Sequence, residues 1–206
     1  MSLRKSVLII VVILLLDQAT KIYIKTNFML QEEAFRVFDW FRIYFIENEG
    51  MAWGAKIPGK YGKLLLTLLR LVAVTGIGYW LWKSIKHHRP KILIISISLI
   101  FAGAVGNIID SVFYGLIFDD SYRQVATLFP EGGGYGTLFH GKVVDMLYFP
   151  IYNDFLPEWI PIWGGKHFTF FDPVFNIADT AISTGVALLL LFNKKAFPKE
   201  ENQPAV

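Results

Sequence analysis

The 206-residue chain contains no cysteine. That single absence excludes thiol nucleophiles, disulfide frameworks, thiolate zinc sites and iron–sulfur clusters, so any chemistry must use oxygen or nitrogen groups. Charge is also scarce: 18% of residues are Asp, Glu, Lys or Arg, against roughly 25% in a soluble domain. The surplus of three positive charges, 20 basic against 17 acidic, is too small for a nucleic-acid binder, and no basic run interleaves with aromatics. Histidine is nearly missing. His87 and His88 sit in a basic link, while His140 and His167 stand apart without helical spacing, so neither a metal nor another cofactor is expected. There is no Gly-x-Ser-x-Gly nucleophile elbow and no internal repeat. What remains is apolar: 54% of residues are hydrophobic, 16% aromatic, and the mean hydropathy is +0.44, the profile of a small polytopic membrane protein.

Crossing the hydrocarbon core takes roughly 20 mainly apolar residues in helical form. Four windows qualify, at about 3–24, 64–82, 92–109 and 174–192, separated by long outer segments 25–63 and 111–171. Basic residues mark the cytoplasmic side. Arg4 and Lys5 precede the first window, Lys83, Lys86, Arg89 and Lys91 fill the link between the second and third, and Lys194, Lys195 and Lys199 follow the fourth. Both termini are therefore expected in the cytoplasm. Val7 to Leu16 after a basic start also fits a secretory signal, but Asp17-Gln18-Ala19-Thr20-Lys21 follows instead of a small-x-small cleavage site, so an uncleaved anchor is expected.

The expected architecture is an all-α membrane protein, a four-transmembrane-helix bundle forming one integral membrane domain over residues 1–206. It carries a small extracytoplasmic β-cradle and a long extracytoplasmic loop. The cradle is read from the β-branched and aromatic run Phe41 to Ile46, ending at the turn-prone Glu47-Asn48-Glu49-Gly50. In the second outer segment, Tyr148 to Tyr152 and Trp159 to Trp163 combine aromatic rings with polar edges and are expected on the membrane surface. Gly132-Gly133-Gly134-Tyr135-Gly136 lacks the Lys-Ser/Thr pair of a phosphate loop and reads as a flexible tip.

Ionisable groups inside apolar spans are costly and are functional candidates by default. Here they are Asp17, Lys21, Arg70, Asp110 and Asp179. At about 1.5 Å per residue, Asp17, Asp110 and Asp179 lie roughly 21, 27 and 20 Å from the cytoplasmic ends of their spans, all in the outer third of the bilayer. Asp145, between Val144 and a membrane-hugging aromatic stretch, can reach the same level. Two carboxylates held about 3 Å apart cannot both ionise easily, which leaves one as a base for water and the other as an acid. Asp179 with either Asp110 or Asp145 fits that role. The plainer reading of Asp17 and Lys21 is an i, i+4 ion pair, and of Arg70 a snorkelling side chain. A proton-coupled transporter is the alternative for intramembrane aspartates. It is weakened by the apolar cytoplasmic half of the fourth span, Ala187 to Phe192.

Five local sequences then occur in order: Asp17-Gln18-Ala19-Thr20-Lys21, Asn48-Glu49-Gly50-Met51-Ala52-Trp53-Gly54, Gly106-Asn107-Ile108-Ile109-Asp110, Val143-Val144-Asp145 and Phe175-Asn176-Ile177-Ala178-Asp179. Together they resemble the lipoprotein signal peptidase family, the type II signal peptidases. The resemblance implies a bacterial inner-membrane aspartyl endopeptidase that cuts prolipoproteins before a diacylglyceryl-modified cysteine, with membrane lipids as surroundings and no oligomer indicated. It implies Asp145 and Asp179 as the catalytic pair, Asn48, Gly54, Asn107 and Asn176 along the substrate cleft, and Asp17, Lys21 and Asp110 in support. Two departures stand out. Ser111 occupies a position where the family usually has Arg, and Arg70 or Lys142 is the expected source of the missing charge. Thirty-four residues separate Asp110 from Asp145, far more than is usual in the family, which points to a lid or a partner-binding loop.

Overall fold

The structure is a computed structural model and describes residues 1–50, 58–59 and 61–198. Three long apolar stretches fold as helices: α1 (Leu3–Asn27), α2 (Gly62–Lys86) and α3 (Lys91–Ile109). The last runs on through a π-helical turn (Asp110–Tyr114) and the short α4 (Gly115–Ile117), so its apolar helix covers 27 residues. At about 1.5 Å per residue each can cross roughly 30 Å of hydrocarbon. Leu8, Leu15, Leu69 and Val72 lie exposed on α1 and α2, an arrangement suited to lipid rather than water. The link between α2 and α3 is built by local chemistry. His88 takes a left-handed φ of 50°, while Arg89 N–H donates to Ser84 O at 3.0 Å and His88 N–H to Ile85 O at 3.1 Å. That pair of bonds closes the helix end. Pro90, which has no N–H to lose, leads directly into α3.

The fourth apolar window divides. Its helix, α5 (Ile177–Leu191), has 15 residues and is followed by α6 (Asn193–Ala196). Val174 and Phe175, expected inside a helical span, instead form a strand. Hydropathy does not separate the two outcomes, because a β-branched and aromatic pair is equally apolar in either.

By contacts the chain divides into two compact units. The helical unit takes Met1–Asp17, Leu68–Ile108 and the chain from Ile177 onward. Its core gathers Leu81, Leu93, Ile94, Ile97 and Ala196, with Ile10, Ile77, Phe101 and Leu189 packed against them. Within it, α3 and α5 approach at small residues: Gly103 lies against the Ala178 carbonyl and Ile182, and Gly185 against Ser96 and Ile100. Small side chains at such crossings let backbones close on one another.

The second unit takes Gln18–Thr67 and Ile109–Asn176. Here β1 (Glu33–Phe38), β2 (Phe41–Asn48), β3 (Val143–Tyr148) and β6 (Val174–Phe175) form an antiparallel sheet in the order β1-β2-β3-β6. The hairpin turn falls at Asp39 and Trp40, so Glu47 and Asn48 are strand residues rather than the turn expected there. Trp40, Phe41, Phe149 and Phe175 stack across the sheet end, with Phe41 and Phe149 centroids 4.6 Å apart. Phe45, Val144 and Met146 turn inward to meet Ile24, Tyr114, Phe118 and Ala126. A separate two-stranded ribbon, β4 (Tyr152–Phe155) with β5 (His167–Phe170), carries exposed Trp159, Ile162 and Trp163 on its connecting segment.

The long connection after α4 is tied down rather than loose. Phe118 bridges Leu128, Val125 bridges Met29, and Phe139 N–H donates to Val112 O at 3.0 Å. Gly134, expected at a flexible tip, packs against the Gly115 and Leu116 carbonyls, and the following Tyr135 N–H donates to Phe118 O at 2.8 Å.

A Cβ at Gly103 would collide with the Ala178 carbonyl. Gly103→Ala is expected to cost about 1–3 kcal/mol, read as a lowered midpoint in thermal unfolding of the detergent-solubilised protein.

Candidate active site

Strand β3 brings Asp145 into a buried position one residue after Val144, on the sheet face opposite to Val144. Both carboxylate oxygens are taken. Asn48 at the end of β2 donates its side-chain amide to Oδ2, and Asn176, just past β6, donates to Oδ1 at 2.7 Å. The Asn176 amide also reaches Val144 O at 3.2 Å, and Asn48 Oδ1 accepts Gly50 N–H at 2.5 Å. Carboxamides thus hold the acid from both flanking strands, and each uses further bonding capacity on the backbone.

Asp110 opens the π turn, fully buried. Lys21 Nζ sits 2.8 Å from Oδ2, Gln18 Nε2 donates to Oδ1 at 2.9 Å, and Val144 N–H donates to Oδ2 at 3.3 Å. Tyr114 O–H in turn donates to Gln18 Oε1 at 3.1 Å. Extra-wide helical turns of this kind occur preferentially at functional sites. Here the turn places Asp110 against the β3 backbone one residue before Asp145.

In the helical unit Asp17 is fully buried and accepts Ala178 N–H at 2.9 Å, satisfying one of the amides that the first turn of α5 leaves open. Gly106 makes room for it, since a Cβ there would lie 2.7 Å from Asp17 Oδ2. Asp179, half-buried in the same first turn, accepts the Asn107 side-chain amide at 2.7 Å. A carboxylate is favoured at a helix N-terminus.

Seven of the residues singled out from sequence therefore fall into three groups. Asn48, Asn176 and Asp145 meet directly; Lys21 meets Asp110; and Asn107 meets Asp179. Asp145 and Asp179 belong to different units, and Asn176 connects them along the chain, three positions before Asp179. Gly54 lies outside the described residues. Lys142 is 3.4 Å from Glu47 and over the Tyr135 ring, while the buried Ser111 offers its carbonyl to Gly141 N–H at 2.9 Å. Lys21, four residues along α1 from Asp17, is a cation on Asp110. Among the described residues no group of three His, Asp or Glu side chains has metal-binding geometry.

Sequence reasoning passed over Glu47, Lys25, Ser121 and Tyr135. Lys25 Nζ bonds Glu47, and also Ser121 Oγ at 2.7 Å. Burial pushes the Tyr135 hydroxyl up from the usual phenol range, so it stays neutral while accepting Lys142 N–H at 2.6 Å. One signal was available: Lys25 continues the four-residue spacing of Asp17 and Lys21.

Among the described residues, three helices long enough to span a bilayer, with buried acids on α1 and directly after α3, define a multi-pass membrane protein carrying a candidate hydrolytic site. The chain belongs to the signal peptidase II family, whose model, described as Signal peptidase (SPase) II, matches residues 9–194. A lipoprotein signal peptidase of Porphyromonas gingivalis is 49% identical over 184 residues, covering 89% of this chain and 80% of that protein. One from Amoebophilus asiaticus is 36% identical over 179 residues, 85% of this chain and 72% of the relative. Among solved structures, a bacterial membrane enzyme determined by the in meso method at 2.3 Å resolution superposes with a TM-score of 0.64 at 25% identity, covering 98% of this chain and 96% of its own. Family membership makes the protein a peptidase and disfavours the carrier reading.

Removing Asp110 would leave the buried Lys21 without this carboxylate. Asp110→Ala is expected to lose about 3–5 kcal/mol of stability, visible as a large drop in the thermal midpoint in detergent.

Proposed function

We propose that the protein removes the signal peptide from diacylglyceryl-modified prolipoproteins, cutting before the lipidated cysteine, with Asp145 and Asp179 as an aspartyl pair. The observation that carries this reading is the double carboxamide grip on Asp145, one half of which comes from Asn176, three residues before Asp179. Amide N–H groups on both oxygens suit the ionised carboxylate, which is acceptor-only and therefore fit to take a proton from water. In the proposed pair two carboxyls share one proton. Water attacks the scissile carbonyl carbon as one acid withdraws its proton and the other protonates the carbonyl oxygen. The tetrahedral intermediate then collapses, the C–N bond breaks, and the departing amine takes up a proton.

Gly54, with Asn48, Asn107 and Asn176, is assigned to the cleft that holds the extended peptide. Asp17, Lys21 and Asp110 are assigned to its support. In this reading α5 with its flanking residues is the fourth crossing of a bacterial cytoplasmic membrane. Its 15 residues cover about 22 Å, and residues on either side complete the span. Lys83, Lys86, Arg89 and Lys91 support a cytoplasmic location for the α2–α3 link, and thus for both termini, with the site toward the outer face. The exposed Trp159 and Trp163, with Lys166 5.8 Å from the Trp163 ring, support contact between the β4–β5 ribbon and the lipid headgroups.

Asp145→Asn and Asp179→Asn should each abolish conversion of a lipidated prolipoprotein, followed as a gel shift, while the variant protein stays in the membrane. Full conversion by either variant overturns the aspartyl pair.

A further inference from the structure

Asp17, Lys21 and Lys25 recur every four residues along α1, and all three are fully buried. The first two serve the groups around Asp110 and α5; Lys25 serves a different one. Its ammonium bonds Glu47 and Ser121, and lies 5.3 Å from the Phe118 ring centroid and 5.1 Å from that of Tyr135. Ser121 Oγ is also 3.3 Å from Glu47 Oε1, and Lys142 Nζ is 3.4 Å from the second Glu47 oxygen. Apart from Lys25 and Glu47 themselves, all of these groups come from the long connection after α4.

Replacing a buried ion pair by well-packed apolar side chains is often neutral or stabilising, and the best-attested use of such a pair is to specify register. The position on the sheet fits that use. Glu47 is paired with Val144, flanked by the pairs Ile46 with Asp145 and Asn48 with Val143. Side chains alternate, so Glu47 points to the core face while its neighbour Asn48 points to the face that carries Asp145. The β2–β3 pairing is irregular between Ile43 and Ile46, immediately before these three pairs. Register established at Arg42 and Ile43 is thus not carried rigidly to Asn48. A slip of one residue would turn Glu47 to the Asp145 face and leave the Lys25 ammonium facing a neutral side chain.

We propose that the Lys25–Glu47 pair is a register lock on strands β2 and β3, and that these two positioning residues keep the Asn48 amide on Asp145. The proposal rests on the assignment of Asp145 to the cleavage reaction. It also accounts for the long connection, because Phe118, Ser121 and Tyr135 enclose the pair. Tyr135 further holds the start of β3 through the Lys142 N–H.

The test replaces the pair by apolar side chains, Lys25→Met with Glu47→Leu, in the full-length protein, and measures thermal unfolding and the kinetics of lipopeptide cleavage. The expected result is a midpoint at or near that of the parent, KM within about twofold, and kcat lowered about tenfold or more, the scale of a small misplacement of reacting groups. Lys25→Arg, which keeps the charge, should retain activity. Should the double variant not fold, Glu47→Asp keeps the charge while drawing the carboxylate back by one methylene, and is expected to lower kcat about three- to tenfold with KM unchanged. Parental kcat in the folded double variant, or in Glu47→Asp, overturns the lock. Asp145→Asn run alongside separates the two ideas: if it is inactive while the double variant is fully active, the lock alone fails, and if it cleaves normally, the aspartyl pair fails.

Discussion

A charge inside an apolar interior must find an opposite charge or a set of hydrogen bonds, and the rest of this structure follows from that requirement at Asp110. Its carboxylate meets Lys21, Gln18 and the Val144 N–H. One acid thereby joins the C-terminal part of α1, the π turn after α3, and strand β3. Alone, either Lys21 or Asp110 would carry a desolvation cost of several kcal/mol. Paired, they hold β3 by its backbone one residue before Asp145.

β3 is the member on which the second unit converges. β2 pairs with it on one side and β6 on the other, each ending near an asparagine aimed at the same aspartate. Its inward face, Val144 and Met146, belongs to the apolar core, so the strand cannot rotate without exposing that face. The helical unit follows the same rule. Asp17 satisfies an open amide of α5, and Asn107 bonds the acid of that helix's first turn. Polar groups that would be costly alone in a membrane protein are here partners of one another.

Much of this was legible in the sequence. Long apolar runs revealed α1, α2 and α3 to within a few residues, because a helix crossing lipid needs about 20 mainly apolar residues. The aspartates stood out because charge is rare in such runs. Less was visible in the long segments 25–63 and 111–171. Val143 to Tyr148 and Val174–Phe175 are too short and too apolar to declare themselves as strands, since only their partners supply the missing backbone hydrogen bonds. Glu47 and Asn48 looked like a turn for the same reason, and Gly132 to Gly136 like a loose tip, although Gly134 is there because only a hydrogen fits against the Gly115 carbonyl.

Read along the chain alone, the residues settled the environment of this protein and its stock of chemistry: no thiol, few histidines, apolar helices, and a handful of acids in or beside apolar runs. Those properties depend on composition and spacing, which are local. Packing chose which acid meets which partner. Lys21 is assigned to Asp110, Lys25 and Lys142 to Glu47, and Asn48 with Asn176 to Asp145, pairings between groups far apart in the chain. Hydrogen bonds and ion pairs depend on distances of about 3 Å, and such distances between remote residues exist only once the helices and strands have packed.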